Sequence, residues 1–260
     1  MGEQQSNEAF YQKAEAALEC LYERAKNANE IHFALALMPE FKGCQDAGWS
    51  TAEDAVHAYE EYLELIKKLP DRTPIKIRVM LAFYNHVSEG SGFYEIPKKL
   101  LLTIEGKGNN IYPFQTLVNK HRKTGLMIAP NANKIMADMI GHATELGLNN
   151  LAEVIHEAFN PDVRNAVAHA DYIIWHDGLR LRRRNGGQPQ LIPWAELELI
   201  LERGINFFGF IRDMTNNYIQ SYNPPKEVIG RLHESEPEFK YVIEYNSDNC
   251  DFSVRTSHKI

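Results

Sequence analysis

The stretch Asn160-Pro161-Asp162-Val163-Arg164-Asn165-Ala166-Val167-Ala168-His169 carries the start signals of a helix. Asn160 suits the N-cap, because its side-chain oxygen can accept a hydrogen bond from the first turn. Pro161 suits the first helical position, where its missing N–H costs nothing. Asp162 is favourable at the positive end of the helix dipole. We therefore expect a new helix to begin here and to carry its polar residues in one compact group.

Three side chains of this helix carry reactive chemistry. Asn165 and His169 are four residues apart and share a face, while Arg164 lies about 100° from Asn165 and about 140° from His169 around the helix axis. An imidazole can accept a proton near neutral pH, and a guanidinium keeps its charge and suits phosphate. Because the long arginine side chain can span the gap, the helix is predicted to offer a cation, an amide and a base together.

The spacing of Arg164, Asn165 and His169 resembles the active-site motif of HEPN-domain ribonucleases, in which an Arg is followed by Asn, Asp or His, three variable residues and a His. The similarity covers about residues 130 to 222. An amphipathic helix precedes the motif and a predicted β-hairpin follows it, as in several members of that family. The apolar positions of the preceding helix are Leu151, Val154, Ile155 and Phe159.

The resemblance implies a metal-independent endoribonuclease without a cofactor. His169 would take the proton of a ribose 2′-OH, Arg164 would hold the phosphate, and Asn165 would orient a phosphate oxygen or the histidine. The expected products are a 2′,3′-cyclic phosphate and a 5′-OH. Family members usually join two motifs across a helical dimer, so the resemblance also implies an RNA-binding homodimer in prokaryotic defence or in a toxin–antitoxin pair.

Tyr172 is comparable with a tyrosine found in some toxins that resemble this family. In those toxins a partner nucleotidyltransferase modifies a tyrosine two residues after the motif histidine, whereas Tyr172 comes three residues after His169. An antitoxin or nucleotidyltransferase partner therefore stays an open expectation. Tyr172 could also simply begin the following hairpin, and it is retained as a candidate RNA contact.

Simpler interpretations of the motif remain open. His169 could pair with Asp171 or with a backbone carbonyl, and Arg164 could form a salt bridge to Asp162 or Glu157. The chain would then be a catalytically inactive HEPN-like module that binds a nucleotide, RNA or a protein partner, or a helical scaffold without a ligand.

The distribution of charge places basic residues beside the motif. The chain has a net charge of −7, which disfavours bulk binding to nucleic acid. Between Pro161 and Gln190, however, five Arg oppose three Asp. Arg180, Arg182 and Arg184 are expected on one face of a strand, where they could contact RNA. The alternative is a solvated strand face, whose charges oppose aggregation.

Composition narrows the class of protein. The chain has 260 residues, of which 44% are hydrophobic, enough for a substantial core. No run of about 18 apolar residues suggests a membrane span, and no signal peptide is evident, so a cytoplasmic protein without a membrane partner is expected. Cys20, Cys44 and Cys250 have no paired or zinc-ligand spacing, which favours buried free thiols and no metal site.

The predicted fold class is mainly α, a multi-helix bundle of HEPN type with one or two small β-hairpins, after the motif helix and at the C-terminus. Three regions are proposed: a helical N-terminal region of unknown role at 1–110, which could pack with the rest, a HEPN-like helical domain with an inserted hairpin at 111–222, and a C-terminal extension with a hairpin at 223–260.

Periodicity and turn signals place the individual elements. Helices are predicted over residues 6–29, 50–66, 74–88, 97–105, 131–146, 150–159 and 194–222. Residues 30–49 are predicted to form a loop. The basic cluster Asn119–Lys123 is interpreted as the end of a helix running from Pro113, with RNA contact as the alternative. Strands are expected at 172–175, 179–182 and 190–192, and a terminal hairpin at 239–245 and 252–254.

Overall fold

The computed structural model describes residues 2–38, 51–108, 112–182, 187–233 and 235–259. The helices are α1 (Gly2–Ala28), α2 (Glu30–Leu37), α3 (Thr51–Lys68), α4 (Pro74–Glu89), α5 (Ser91–Ile104), α6 (Ala132–Glu145), α7 (Asn149–Ala158), α8 (Pro161–Ala168) and α9 (Trp194–Gln220). The strands are β1 (Asn119–Lys120), β2 (Met127–Ile128), β3 (Tyr172–Trp175), β4 (Gly178–Leu181), β5 (Gln190–Pro193), β6 (Lys226–Gly230), β7 (Phe239–Asn246) and β8 (Asp251–Lys259). The predicted mainly helical architecture is confirmed.

The two longest helices of the described ranges, α1 and α9, pack along each other. Their contact combines apolar burial with several polar pairs, among them the hydroxyls of Tyr22 and Thr215, which lie 2.7 Å apart in the core. Helices α5 and α7 also pack against α1 as part of one continuous apolar cluster. The helices of the first 110 residues therefore share a core with those that follow.

The prediction of a loop after α1 is wrong for residues 30–37, which form α2. Asn29 caps this helix, since its side-chain oxygen accepts hydrogen bonds from the N–H groups of Ile31 and His32. Most of α2 is buried, so its sequence lacks the polar face that normally reveals a helix. The remainder of the predicted loop, residues 39–49, lies outside the described residues.

Helix α5 begins at Ser91, six residues before the predicted start, and contains Pro97 in its interior. A proline inside a helix normally costs about 3 kcal/mol. Buried apolar residues of this helix offset that cost, namely Tyr94, Ile96, Leu100 and Leu101.

The predicted helix from Pro113 to Lys123 does not form. A single 3-10 turn, Gln115–Leu117, leads into the antiparallel hairpin β1–β2. Gly125 explains the turn, because its φ of +72° is a conformation that residues with side chains rarely adopt. The basic cluster is thus the tip of a hairpin and not the end of a helix.

A three-stranded antiparallel sheet, β3-β4-β5, covers one side of the motif helix α8. Leu179, Leu181 and Ile192 form its buried face and pack with Val163 and Ala166 of α8 in a second apolar cluster. Residues of α4 and α9 complete that cluster. Helix α8 is consequently fixed between α4 and the sheet.

The C-terminal residues form the sheet β6-β7-β8. The hairpin of β7 and β8 was expected, whereas β6 gave no recognisable strand signal. None of the helices within the described ranges has the length and apolar character that crossing a bilayer demands.

The prediction of buried thiols is wrong for two of the three cysteines. Cys20 and Cys250 are exposed. Cys20 lies on the exposed face of α1, and Cys250 lies in the β7–β8 turn. Cys44 is outside the described residues.

Candidate functional site

Helix α8 begins as its sequence predicts. The Asn160 side chain accepts a hydrogen bond of 3.0 Å from the Val163 N–H. The Asn160 N–H in turn donates to the hydroxyl of Tyr84, on α4, over 2.6 Å. Burial raises the pKa of Tyr84 to about 12, so this hydroxyl stays neutral. The start of the motif helix is therefore tied to α4.

The polar face of α8 opens into a cleft of about 480 Å³. This cleft brings Arg164, Asn165 and His169 together. His169 is the C-cap of the helix, with its side chain exposed. The other residues lining the cleft are Asn131, Asn133, Asp162, Ala166, Asp171, Leu181 and Arg182.

Arg164 is the most constrained polar side chain of the motif, with only 8% of its surface exposed. Its Nη1 donates to Asn165 Oδ1 over 2.7 Å, and its Nη2 forms an ion pair with Glu89 Oε1. Burial lowers the pKa of Arg164, but a guanidinium remains charged at any physiological pH. The cation is therefore held rigidly against one wall of the cleft.

Glu89 is a site residue that sequence reasoning missed. The sequence suggests Asp162 and Glu157, both close along the chain, as salt-bridge partners of Arg164. Glu157 instead pairs with Lys13 and Arg203. Glu89 ends α4, and only the packing of α4 on α8 brings it to the motif.

Asn131 and Asn133, at the start of α6, were also missed and form another wall of the cleft. The sequence predicts only a helix start at Asn131, and Asn131 does cap α6 by accepting a hydrogen bond from the Lys134 N–H. Asn133 Oδ1 is buried and has no hydrogen-bond partner. The sequence did contain a local signal. One asparagine is enough to cap a helix, so a second asparagine two residues later indicates a further polar role.

The predicted RNA contacts separate in the structure. Arg182 lines the cleft, and its N–H donates to the Asp171 carbonyl over 2.8 Å. Arg180 points elsewhere, pairing with Asp177 at 2.9 Å and lying 5.3 Å from the centre of the Trp175 ring. Arg184 is outside the described residues.

Tyr172 is half-buried and packs on the apolar cluster beneath the sheet. Its role as an RNA contact stays a prediction. Among the residues that the structure describes, no group of three or more His, Cys, Asp or Glu is arranged to hold a metal ion.

The different positions of Arg182 and Arg180 predict different effects of their substitution on RNA binding. If RNA enters the cleft, Arg182→Gln should weaken RNA binding by about 3- to 10-fold and reduce the salt dependence by about 0.7 units of slope, the value for one phosphate contact on a single strand. Arg180→Gln should have little effect, because Asp177 already neutralises that charge. Titrations at several salt concentrations measure both. Equal effects of the two substitutions would contradict this assignment.

Comparison of the chain with protein-family models, with curated proteins and with solved structures gave no match.

Proposed function

We propose that this protein is a metal-independent endoribonuclease whose active site is the cleft on α8. The observation that carries the proposal is the convergence of Arg164, Asn165 and His169 on one cleft, with the arginine fixed and the histidine exposed. This arrangement agrees with the HEPN-type motif, because a general base must reach substrate while a phosphate clamp must be preorganised.

The proposed reaction uses the neutral imidazole of His169 as a general base. The imidazole takes the proton of a ribose 2′-OH, and the 2′-oxygen attacks the adjacent phosphorus. A bond forms between phosphorus and the 2′-oxygen while the bond to the 5′-oxygen breaks. The leaving oxygen takes a proton from a general acid or water, giving a 2′,3′-cyclic phosphate and a 5′-OH.

Arg164 and Asn165 would act on the phosphate. The transition state gains negative charge on the non-bridging oxygens, and a guanidinium that is already oriented needs little reorganisation to stabilise it. Asn165 was expected to orient a phosphate oxygen or the histidine, but its side-chain oxygen holds Arg164. We therefore assign Asn165 a positioning role.

A single motif supplies one base and one cation, whereas this reaction also gains from an acid on the opposite side of the scissile bond. A two-fold axis near α8 would bring a second copy of His169 and Arg164 to the same phosphate through an isologous interface. A homodimer is thus part of the proposal, as is a role in prokaryotic defence or a toxin–antitoxin system with an antitoxin or nucleotidyltransferase partner. Sedimentation at micromolar concentration tests the dimer.

The ion pair between Glu89 and Arg164 favours a second candidate function. Since a carboxylate already neutralises the arginine, the cleft could belong to a catalytically inactive module that binds a nucleotide, RNA or a protein partner. The two candidates differ in turnover and not in binding.

Cleavage of RNA by the purified protein in EDTA tests the proposal. We expect fragments ending in a 2′,3′-cyclic phosphate and beginning with a 5′-OH, which end-group analysis distinguishes from the 5′-phosphates of most metal-dependent nucleases. Cleavage that requires added Mg²⁺ would overturn the mechanism. RNA binding without any cleavage would support the inactive module.

A further inference from the structure

The net charge of the cleft does not account for the binding of a long RNA strand, which is a polyanion. Its two arginines face three carboxylates, those of Glu89, Asp162 and Asp171. Single-stranded RNA binds chiefly through cations that neutralise successive phosphates. Cations outside the cleft are therefore required.

We propose that the β1–β2 hairpin, Asn119–Ile128, is an arm that binds single-stranded RNA and guides it into the cleft. This inference rests on the proposed function, because the cleft gives the arm its substrate. The hairpin is named the basic arm below.

The basic arm has an unusual charge environment. No Asp or Glu occurs between Glu105 and Asp138, although the chain as a whole has a net charge of −7. The cations of this interval are Lys107, Lys120, Arg122, Lys123 and Lys134. Within the described part of the chain, no ion pair involves the three at the arm tip, namely Lys120, Arg122 and Lys123. Their charges are thus available to an external anion.

The arm is a defined element and not an irregular loop. Asn119 pairs with Ile128 and Lys120 with Met127 across the two strands. At the tip, the His121 N–H donates to the Leu126 carbonyl over 2.8 Å, and His121 Nδ1 lies 2.8 Å from Thr124 Oγ1. A preformed hairpin loses little conformational entropy when it binds.

Apolar residues lie beside these cations. Leu126, Met127 and Ile128 are 68%, 62% and 46% exposed. Three consecutive large apolar side chains in water indicate a surface that is covered when a partner binds. Unstacked bases and riboses offer apolar faces next to phosphates, which matches this combination of cations and apolar side chains.

The arm joins the wall of the cleft directly. Ile128 precedes Asn131 by three residues, which spans at most about 11 Å of extended chain, and Asn131 and Asn133 line the cleft. RNA held by the arm would therefore lie next to the cleft that holds His169. This continuity favours RNA over a lipid surface, whose plane would have no reason to adjoin the cleft.

The test compares two variants with equal loss of charge. The arm variant is Lys120→Gln/Arg122→Gln/Lys123→Gln. The control is Lys67→Gln/Lys68→Gln/Arg231→Gln, which removes three exposed cations from distant positions. Both are made in the full chain with His169→Ala, so that RNA is bound without turnover. Binding of a labelled single strand is measured by fluorescence anisotropy over a range of salt concentrations.

The arm variant should bind RNA at least about 10-fold more weakly near 0.1 M salt, with a salt slope lower by about 2, as expected for three phosphate contacts on a single strand. The control should stay within about 2-fold of the parent. A third variant, Leu126→Ser/Met127→Ser/Ile128→Ser, should weaken binding and leave the salt slope unchanged. Because all six side chains are exposed, circular dichroism should show an intact fold in each case.

Two outcomes would contradict the proposal that the basic arm binds RNA. One is equal RNA affinity in the arm variant and the control. The other is unchanged RNA affinity together with a loss of binding to vesicles containing phosphatidylserine, which would assign the arm to a lipid surface. The two proposals can fail separately. Weaker RNA binding by the arm variant supports the arm even if the protein with an intact His169 cleaves no RNA. Cleavage of RNA by that protein, together with unchanged RNA binding by the arm variant, supports the catalysis and contradicts the arm.

Discussion

Replacing His169 with alanine is expected to reduce RNA cleavage by at least about 10²-fold, the usual cost of losing a general base. The side chain is exposed at the C-cap of α8, so the substitution should leave the fold intact. Single-turnover cleavage in EDTA measures the effect. His156→Ala is the matched control, because His156 is exposed on the neighbouring helix α7 and does not line the cleft.

Arg164→Ala should cause a similar loss if the guanidinium stabilises the transition state. This substitution also leaves Glu89 without its partner, so reduced folding could imitate a catalytic defect. The double variant Glu89→Gln/Arg164→Ala removes that unpaired charge. We expect it to fold normally and to remain inactive. Full activity in folded His169→Ala, or in the double variant, would contradict the mechanism.

Gly204→Ala is expected to lower the free energy of unfolding by about 1 to 3 kcal/mol, a typical cost of overpacking. A Cβ at this position of α9 would overlap the ring of Tyr84 and lie 2.9 Å from the Ala158 carbonyl. Tyr84 is fully buried and cannot move away without disturbing its hydrogen bond to the Asn160 N–H. The strain should therefore reach the start of α8.

Gly141→Ala is the control for this effect. A Cβ there would meet nothing within 4 Å, and Gly141 lies on the exposed side of α6. It should raise the stability by about 0.4 to 1 kcal/mol, since alanine restricts the unfolded chain. Denaturant unfolding monitored by circular dichroism compares the two variants. An unchanged or raised midpoint for Gly204→Ala would contradict the proposed packing at Gly204.

Local signals in the sequence were sufficient for much of the fold. The cap at Asn160 fixes the start of α8, and the turn at His176-Asp177 joins β3 to β4, both through interactions within a few residues. Segments without such signals were predicted wrongly. Helix α2 has no polar face to reveal its period, and residues 119–123 carry a cluster of cations that suits a helix end as well as a hairpin tip.

The residues of the candidate site also fall into those that local sequence signals predict and those that they do not. Arg164, Asn165 and His169 come from one helical turn and its neighbour, so their proximity follows from spacing alone. Glu89 and Tyr84 reach the motif only through tertiary packing, and no pattern within the motif points to α4. Whether the helices form a bundle of HEPN type, and whether 1–110, 111–222 and 223–260 behave as separate regions, remain predictions.

The contacts between α4 and the motif determine whether the motif can be transferred to another protein. A fragment starting at residue 111 would keep all six residues from Arg164 to His169 but would lose the counter-ion of Arg164 and the hydroxyl that holds the Asn160 N–H. Grafting those six residues onto another helical scaffold would meet the same deficit. Any transplant must therefore carry Tyr84 and Glu89 with it, and surveys that search for such sites by the motif alone will overlook both of these groups.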